Sequence, residues 1–402
     1  MNFLNEYFKY DIGIELSGLT NQLNVFYVNK LREVYNRNII VLTSSLYEAN
    51  KIYNSLSKIN DNALLFPMDD FLSSMIVAQS PELKYKRLEV IDKLKSKDKF
   101  IIVTNLMGYL KYLPSLNTKT DYKISISDNI KRDELVTIIN ELGYHRESLV
   151  TTSGEYAVRG FILDIYPLDN EHPLRIEFDG NMIESIKYFD ENTQMSFGNI
   201  ESVDIKAIDE IKLNGYNSLV DYADNPVVVM VDKEQIKASF SKLYDDISDY
   251  KTSNNIDGEL MYSLDDFNFV DKIYVNLFES TGYNLNAHEI INYKEDFDKL
   301  VSDYNEWIKK GKVVYFYLTD KNEEKKIKKL IPTCNVVIQD IDNGFMLDKY
   351  IVIADSDIEE VNKVNTKYKN NFHIGKKIKD YNQLEKGDYV VHVNYGIGIY
   401  QG

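Results

Sequence analysis

The first third of the chain alternates continuous apolar runs with amphipathic segments. Residues 38–43 and 100–104 are rich in β-branched side chains, as strands buried on both faces are. Residues 47–56 and 81–94 instead repeat apolar or aromatic positions at helical spacing. Strands and helices in this order predict a parallel α/β lobe over residues 1–117.

The pattern changes near residue 118 and returns near residue 208. Between them, short segments such as 159–166 and 174–178 alternate apolar and polar positions, which is typical of strands with one solvated face. A continuous apolar run at 226–232 then restores the buried-strand pattern. We therefore predict an inserted α+β domain over 118–207 and a second segment of the first lobe over 208–282.

The last third of the chain predicts one more compact unit. Residues 251–258 are polar and are predicted to form a loop, whereas residues 283–358 carry the strand and helix patterns of a small α/β domain. Residues 359–383 are polar again and are predicted to be a linker. The fold class is therefore multidomain α/β.

The chain ends on the pattern of a single strand. Residues 387–393 alternate apolar and polar positions, and Gly396–Gly398 is typical of a turn. A strand needs a neighbour for its backbone hydrogen bonds, and no further strand pattern follows this turn. We therefore expect residues 384–402 to begin a truncated further domain, and the chain to be part of a longer protein.

Composition and charge narrow the classes of function. The 402 residues are 44% hydrophobic, and their 63 acidic and 47 basic side chains give a net charge of −16, which opposes a broad surface that tracks phosphates. Cys334 is the only cysteine, which excludes an internal disulfide and a cysteine-based zinc site. The chain shows neither a signal-peptide pattern nor 18 consecutive apolar residues, so we expect a cytoplasmic protein with no membrane partner.

The residues that usually carry hydrolytic or metal chemistry form no recognisable set. The five histidines are scattered, and acidic doublets such as Asp69-Asp70 are common on the solvated surface of an acidic chain. We therefore expect no catalytic residues and no metal site.

One turn has the outline of a phosphate-binding loop but lacks its chemistry. Gly18 and Thr20 precede a predicted helix. A working loop needs a second glycine, a lysine for the β- and γ-phosphates and a hydroxyl for magnesium. Counted from Gly18, these three positions hold Leu23, Asn24 and Val25. We expect a degenerate, non-functional loop and no cofactor.

Arginine is scarce in this chain, and none occurs after Arg175. An arginine presents a planar, bidentate donor that a lysine lacks. Arg159 and Arg175 lie in successive predicted strands, and Glu177 shares the face of Arg175 because side chains alternate along a strand. If the strands form a hairpin, these residues form a charged patch that suits a carboxylate-bearing protein partner. The alternative is an ordinary solvent-exposed face.

Four motifs in the same region resemble a known signature. They are GEYAVRG at 154–160, DIYP at 164–167, RIEF at 175–178 and IESIKYFD at 183–190. In register, they resemble the signature shared by the excinuclease protein UvrB and the bacterial transcription-repair coupling factors (Mfd).

Three features favour the coupling factors over UvrB. The loop at Gly18 resembles the degenerate form of the coupling factors, whereas UvrB has an intact phosphate loop. The stretch from Phe71 to Pro81 carries no tyrosine-rich cluster like the DNA-gripping hairpin of UvrB. Residues 384–402, LEKGDYVVHVNYGIGIYQG, resemble the opening of the RNA-polymerase-interaction domain of the coupling factors.

The resemblance implies an excinuclease-B-like lobe whose inserted domain binds the excinuclease protein UvrA. It maps partner-binding roles onto Arg159, Arg175 and Glu177, with Asp179 standing where relatives often have an aromatic residue. We expect Arg159→Ala or Arg175→Ala to weaken that binding while the chain stays folded.

For the whole protein the resemblance implies an ATP- and Mg-dependent translocase on double-stranded DNA that displaces stalled RNA polymerase through its β subunit. It also implies docking of this portion against the protein's own C-terminal region. This portion itself is expected to be non-catalytic. The alternatives are an excinuclease-B-like ATPase or helicase of nucleotide excision repair, and an acidic mimic of DNA.

Overall fold

A computed structural model describes residues 2–70, 81–118, 120–208, 215–276 and 282–359, together with the strand pair 389–392 and 396–399. Short 3-10 helices lie at Asn2–Glu6 and Leu264–Phe267. The α-helices of the described residues are α1 (Asn21–Tyr35), α2 (Leu46–Ser57), α3 (Pro81–Leu94), α4 (Leu106–Leu110), α5 (Arg132–Glu141), α6 (Leu219–Tyr222), α7 (Lys233–Asn254), α8 (Phe297–Lys309), α9 (Lys321–Leu330) and α10 (Asp355–Ile358).

The strands of the described residues are β1 (Glu15–Ser17), β2 (Ile39–Thr43), β3 (Ala63–Phe66), β4 (Ile101–Asn105), β5 (Asp121–Ser125), β6 (His145–Arg146), β7 (Glu155–Arg159), β8 (Ile162–Ile165), β9 (Leu174–Asp179), β10 (Met182–Phe189), β11 (Ser196–Ile200), β12 (Ser202–Lys206), β13 (Val227–Val231), β14 (Asp271–Val275), β15 (Tyr283–Asn284), β16 (His288–Glu289), β17 (Val313–Leu318), β18 (Asn335–Ile338), β19 (Phe345–Leu347), β20 (Tyr350–Ala354), β21 (Tyr389–His392) and β22 (Gly396–Ile399).

A seven-stranded parallel sheet is built from chain segments on both sides of the inserted region. Its strand order is β15-β1-β14-β13-β2-β4-β3. Val229 of β13 pairs with Val41 of β2 and with Ile273 of β14. Every residue of β2, β4 and β13 is buried, because helices cover both faces of a parallel sheet. This sheet confirms the α/β class.

Residues 123–135 and 145–203 form a separate compact unit around a six-stranded sheet. Its order is β11-β10-β9-β8-β7-β6, antiparallel except for the β6–β7 pair. One face of the sheet is apolar: Leu163, Leu174, Ile176 and Ile186 are fully buried. The other face carries the arginines that the sequence singled out.

Residues 285–358 carry a five-stranded sheet of parallel and antiparallel strands, in the order β16-β19-β20-β17-β18. They share part of their apolar core with the first lobe. One apolar cluster joins α1 of the lobe to side chains of this sheet. The ring of Phe26 lies 6.2 Å from that of Tyr317 and 6.0 Å from that of Phe345. The predicted small domain is therefore packed against the first lobe.

The structure corrects several boundaries. Residues 251–254 are the last turn of α7 instead of a loop, because the helix continues to the left-handed Asn255, whose amide caps it by donating to the Lys251 carbonyl oxygen. Arg159 is the last residue of β7, and a two-residue turn joins it to β8, so Arg159 and Arg175 do not lie in successive strands as predicted: β8 lies between β7 and β9. Gly396–Gly398 lies in β22, a strand that pairs with β21, so the predicted turn is wrong. The stretch 71–80 and nearly all of the predicted linker lie outside the described residues.

Candidate partner-binding site

The three charged residues named from the sequence lie on one face of the six-stranded sheet. Arg159 is opposite Ile162 of β8, and Ile162 is opposite Glu177 of β9. In the next row, Asp164 of β8 is opposite Arg175 of β9. Residues opposite one another share a face, so the register places both arginines and Glu177 together on the face turned away from Ile176.

Arg175 is committed to an internal ion pair. Its Nε and Nη2 donate to the two carboxylate oxygens of Asp164 at 2.8 and 2.9 Å. The Arg175 side chain is 15% exposed and that of Asp164 is 1% exposed. These hydrogen bonds raise the pKa of the guanidinium, and its carbon lies 4.7 Å from the centre of the Phe189 ring.

Glu177 has a separate set of partners on the same face. Its Oε2 accepts from Lys187 Nζ and from Ser185 Oγ, each at 2.6 Å. The Lys187 hydrogen bond, followed by that of Ser185, lowers the pKa of the carboxyl group. The Glu177 side chain remains 30% exposed, so one edge of this group faces solvent.

Arg159 differs from Arg175 because it lies at the end of β7 and is exposed. A two-residue turn of Gly160 and Phe161 follows it, and the φ of +58° at Gly160 is a conformation that glycine adopts without strain. Among the described residues, the guanidinium makes one hydrogen bond, from Nη2 to the Ser148 carbonyl oxygen at 3.3 Å. It retains donors for a carboxylate partner.

The structure therefore separates two residues that the sequence treated alike. Arg159 is free to meet a partner, whereas removing Arg175 would leave the buried Asp164 without its counter-charge. The expectation that Arg175→Ala leaves the fold intact is not supported by this arrangement. Sequence reasoning also missed Asp164, although an acid inside the apolar run Ile162–Ile165 was a signal that a buried cation lies nearby.

Apolar side chains are exposed in the same unit. Phe161 is 69% exposed and Met195 is 71% exposed. Phe178 is buried, and the next residue, Asp179, is exposed. Exposed apolar groups near unpaired charge are the usual composition of a protein-binding surface.

The turn between β1 and α1 is covered by the backbone of a later segment. The amide of Leu285 donates to the Ser17 carbonyl oxygen at 3.0 Å, and that of Ala287 donates to the Gly18 carbonyl oxygen at 2.8 Å. Gly18 has a φ of +66°, and a Cβ there would collide with the Asn284 side chain. We call residues 284–287 the covering segment.

The remaining residues of this turn serve the helix and the core. Thr20 is the N-cap of α1, and its Oγ1 accepts from the amide of Leu23 at 3.3 Å. Asn24 is buried, and its amide donates to the Thr20 carbonyl oxygen at 2.9 Å. Leu23 and Val25 are buried in the core that includes Phe26. The positions of the second glycine and of the hydroxyl in a phosphate loop are thus taken by packing groups, and the position of the lysine is taken by a buried asparagine.

Metal ligation and membrane insertion each need a recognisable arrangement of residues. Within the described part of the chain, no group of three or more His, Cys, Asp or Glu side chains is placed to hold a metal ion. Among the described helices, none is long and apolar enough to cross a membrane.

Comparison with known proteins agrees with the motifs. The model of the UvrB interaction domain matches residues 122–210. The transcription-repair-coupling factor of Bacillus subtilis (strain 168) is 24% identical over 96% of this chain, and that of Staphylococcus haemolyticus (strain JCSC1435) is 23% identical over 91%. The transcription-repair-coupling factor of Staphylococcus aureus (strain MSSA476) is 27% identical over 69%.

The chain is similar, over nearly all of its length, to transcription-repair coupling factors. This confirms the resemblance inferred from the four motifs. The chain spans 42% of the length of the Bacillus subtilis coupling factor and 40% of that of the Staphylococcus haemolyticus coupling factor. The match to the UvrB interaction domain contains Arg159, Arg175 and Glu177 and ends at residue 210, close to the predicted start of the second lobe segment at residue 208.

Proposed function

We propose that this chain is a non-catalytic recruitment module of a transcription-repair coupling factor, and that its inserted domain binds UvrA. The observation that carries the proposal is the match of residues 122–210 to the UvrB interaction domain, within which Arg159 is exposed and has free donors. We further propose that the seven-stranded lobe is of the excinuclease-B type, and that the protein acts in the cytoplasm.

For the whole protein, we propose the activity that the resemblance implies. A motor beyond this portion would use ATP and magnesium to move along double-stranded DNA, and the domain that begins at 384–402 would engage the β subunit of stalled RNA polymerase. The portion described here would dock against the protein's own C-terminal region when it is not engaged. The net charge of −16 supports this division, because it disfavours DNA tracking by this portion itself.

Arg159 is the residue of this site that best suits direct contact with UvrA. A guanidinium that meets a carboxylate at a desolvated interface contributes strongly, because its removal leaves the partner's charge buried and unpaired. Glu177 supports the same surface through its exposed edge.

Binding to purified UvrA tests the proposal. We expect Arg159→Ala to raise the dissociation constant by about 30-fold, which corresponds to about 2 kcal/mol. Arg146→Ala is the matched control, because Arg146 is another exposed arginine of the same unit. Equal affinity of wild type and Arg159→Ala, with native circular dichroism in both, would remove Arg159 from the site. Failure of the wild-type chain to bind UvrA would contradict the function itself.

An ATPase assay tests the non-catalytic part of the proposal. The turn after β1 lacks the phosphate-loop lysine, and its carbonyls bond to the covering segment. We expect no hydrolysis above background with ATP and magnesium. Hydrolysis that disappears in Thr20→Ala or Asn24→Ala would instead support the excinuclease-B-like ATPase.

A further inference from the structure

Residues 190–196, which are the turn that joins β10 to β11 and the first residue of β11, have a tightly bonded backbone. The Oδ1 of Asp190 accepts from the amides of Asn192 at 3.0 Å and Thr193 at 2.7 Å. The amide of Asp190 donates to the Met195 carbonyl oxygen at 3.1 Å, and that of Gln194 donates to the Asp190 carbonyl oxygen at 2.8 Å. The turn is therefore one ordered structure.

Gln194 holds a backbone conformation that glutamine rarely adopts. Its φ is +62°, in the left-handed region that favours glycine. Such a conformation persists where surrounding contacts impose it. Two contacts from outside the turn do so: Arg175 Nη1 donates to the Gln194 carbonyl oxygen at 3.1 Å, and Gln194 Nε2 donates to the Val150 carbonyl oxygen at 3.2 Å.

The residue next to Gln194 is a strongly exposed methionine. Met195 is 71% exposed although it adjoins a residue fixed from two sides. A methionine side chain is apolar and adaptable, which suits it to fill a hollow in a protein partner. An ordered backbone lowers the entropy cost of such a contact.

Arg175 has few donors left for a partner. Nε and Nη2 are bonded to Asp164, and Nη1 is shared between the Gln194 carbonyl oxygen and Ser196 Oγ, the latter at 3.3 Å. The bidentate pair with Asp164 fixes the plane of the guanidinium, so the direction of Nη1 toward the turn is also fixed.

We propose that Arg175 is a positioning residue, which together with Asp164 holds the turn 190–196 so that Met195 makes an apolar contact with UvrA. This inference rests on the proposed function for its partner. It assigns direct contact to Arg159 and Met195, and it gives Asp164 a role in binding although Asp164 is buried.

Binding measurements on the full chain distinguish positioning from direct contact. Asp164→Asn removes the charge that holds the guanidinium and leaves Arg175 in place. If Arg175 touched UvrA directly, the freed guanidinium would bind equally well or better. We instead expect about tenfold weaker binding in Asp164→Asn, in Arg175→Lys and in Met195→Ala. The matched controls are Glu184→Gln, an exposed acid on β10, and Met182→Ala, a 43% exposed methionine at the opposite end of β10.

A double-mutant cycle gives a second criterion. Because Arg175 acts through Met195, the double variant Arg175→Lys/Met195→Ala should bind no more than about twofold weaker than the weaker single variant. Losses that multiply, or wild-type binding in Asp164→Asn or Met195→Ala, would overturn the inference. If Asp164→Asn does not fold, the double-mutant cycle between Arg175 and Met195 decides whether Arg175 acts through Met195.

Amide hydrogen exchange tests the positioning without a partner. We expect the amides of 193–196 to exchange faster in Asp164→Asn and Arg175→Lys than in the wild type, and at the wild-type rate in Met195→Ala. Unchanged exchange in both charge variants would overturn the inference even if UvrA binds. If the two charge variants exchange faster but the wild-type chain does not bind UvrA, the proposed function and the role of Met195 are contradicted. Only the conclusion that Arg175 and Asp164 hold the turn then remains.

Discussion

Arg159 and Arg175 lie on one face of the inserted sheet but in different electrostatic surroundings. Arg159 is exposed and bonded to a single carbonyl oxygen, whereas Arg175 neutralises a carboxylate that is 1% exposed. A charge that is buried without its partner costs far more than one that can be hydrated. The two residues therefore differ in what their removal does to the fold.

We expect Arg175→Ala to lower the free energy of unfolding by about 3 to 5 kcal/mol, because it leaves Asp164 buried and unpaired. Arg159→Ala should change it by less than about 0.5 kcal/mol, as is usual for exposed side chains. Urea unfolding followed by circular dichroism measures both. Equal stability of the two variants would show that the Arg175–Asp164 pair does not stabilise the fold.

Asp357 is a second buried carboxyl group, and burial raises its pKa to about 6. Its Oδ2 accepts from the amides of Gly344 at 2.7 Å and Ala354 at 2.8 Å. Because the folded pKa exceeds the ordinary value of 3.8, the group contributes stability that is fully present below pH 3.8 and is lost as the pH rises through about 6.

Replacing Asp357 with asparagine keeps an acceptor oxygen but removes the ionisation. Between pH 4 and pH 7, we expect the stability of Asp357→Asn relative to the wild type to rise by roughly 2 to 3 kcal/mol. The measurement is urea unfolding at several pH values, followed by the fluorescence of Trp307, the only tryptophan. A difference that does not vary with pH would show that Asp357 titrates normally.

At the scale of elements, the residues of the β1–α1 turn are committed to packing and to backbone hydrogen bonds. The first turn of α1 contributes Leu23 and Val25 to the core, and the covering segment takes the carbonyl oxygens of Ser17 and Gly18. We therefore expect that placing phosphate-loop residues at positions 23–25 would destabilise the fold without producing a nucleotide site.

The triple variant Leu23→Gly, Asn24→Lys, Val25→Thr restores the composition of a phosphate loop. We expect it to bind no ATP and to lose at least about 3 kcal/mol of stability, because it removes buried apolar volume. A titration with a fluorescent ATP analogue and magnesium, beside urea unfolding, measures the two effects. Asn24→Lys alone is the control that keeps the apolar residues. Saturable nucleotide binding by either variant would contradict this account.

At the scale of the whole molecule, the first lobe and residues 285–358 share an apolar core. The Phe26 ring packs with Tyr317 and Phe345, and Lys58 Nζ lies 2.9 Å from a carboxylate oxygen of Asp340 and 2.9 Å from one of Asp342. A shared core couples the stability of the parts that contribute to it.

We expect Phe26→Ala, in α1, to lower the urea midpoint of the Trp307 fluorescence transition together with that of the circular dichroism transition. Phenylalanine-to-alanine changes in a core cost about 3 to 5 kcal/mol. Trp307 lies in α8, so it reports on the later sheet. A Trp307 midpoint that stays in place while the dichroism midpoint falls would show that the later unit is independent.

The sequence predicts features that depend on residues close together in the chain, and it does not predict those that depend on contacts between distant residues. Buried strands such as Ile39–Thr43 and Val227–Val231 were evident from local composition, and the alternation of side chains placed Arg175 and Glu177 on one face. The partner of Arg175 was not evident, because Asp164 meets it through strand register. The apolar core shared by the lobe and residues 285–358 depends on contacts between residues about 300 positions apart, such as Phe26 and Tyr317. Local sequence patterns do not predict such contacts.

The strand order of the parallel sheet has a consequence for how the chain folds during synthesis. Leu16 of β1 pairs with Val275 of β14, so the neighbour of the first strand leaves the ribosome about 260 residues later. The strands β6 to β11, by contrast, find all their partners among one another. Since long chain closures slow folding, we expect the inserted unit to reach its native state first. Strand β1 then stays unpaired until β14 has been synthesised.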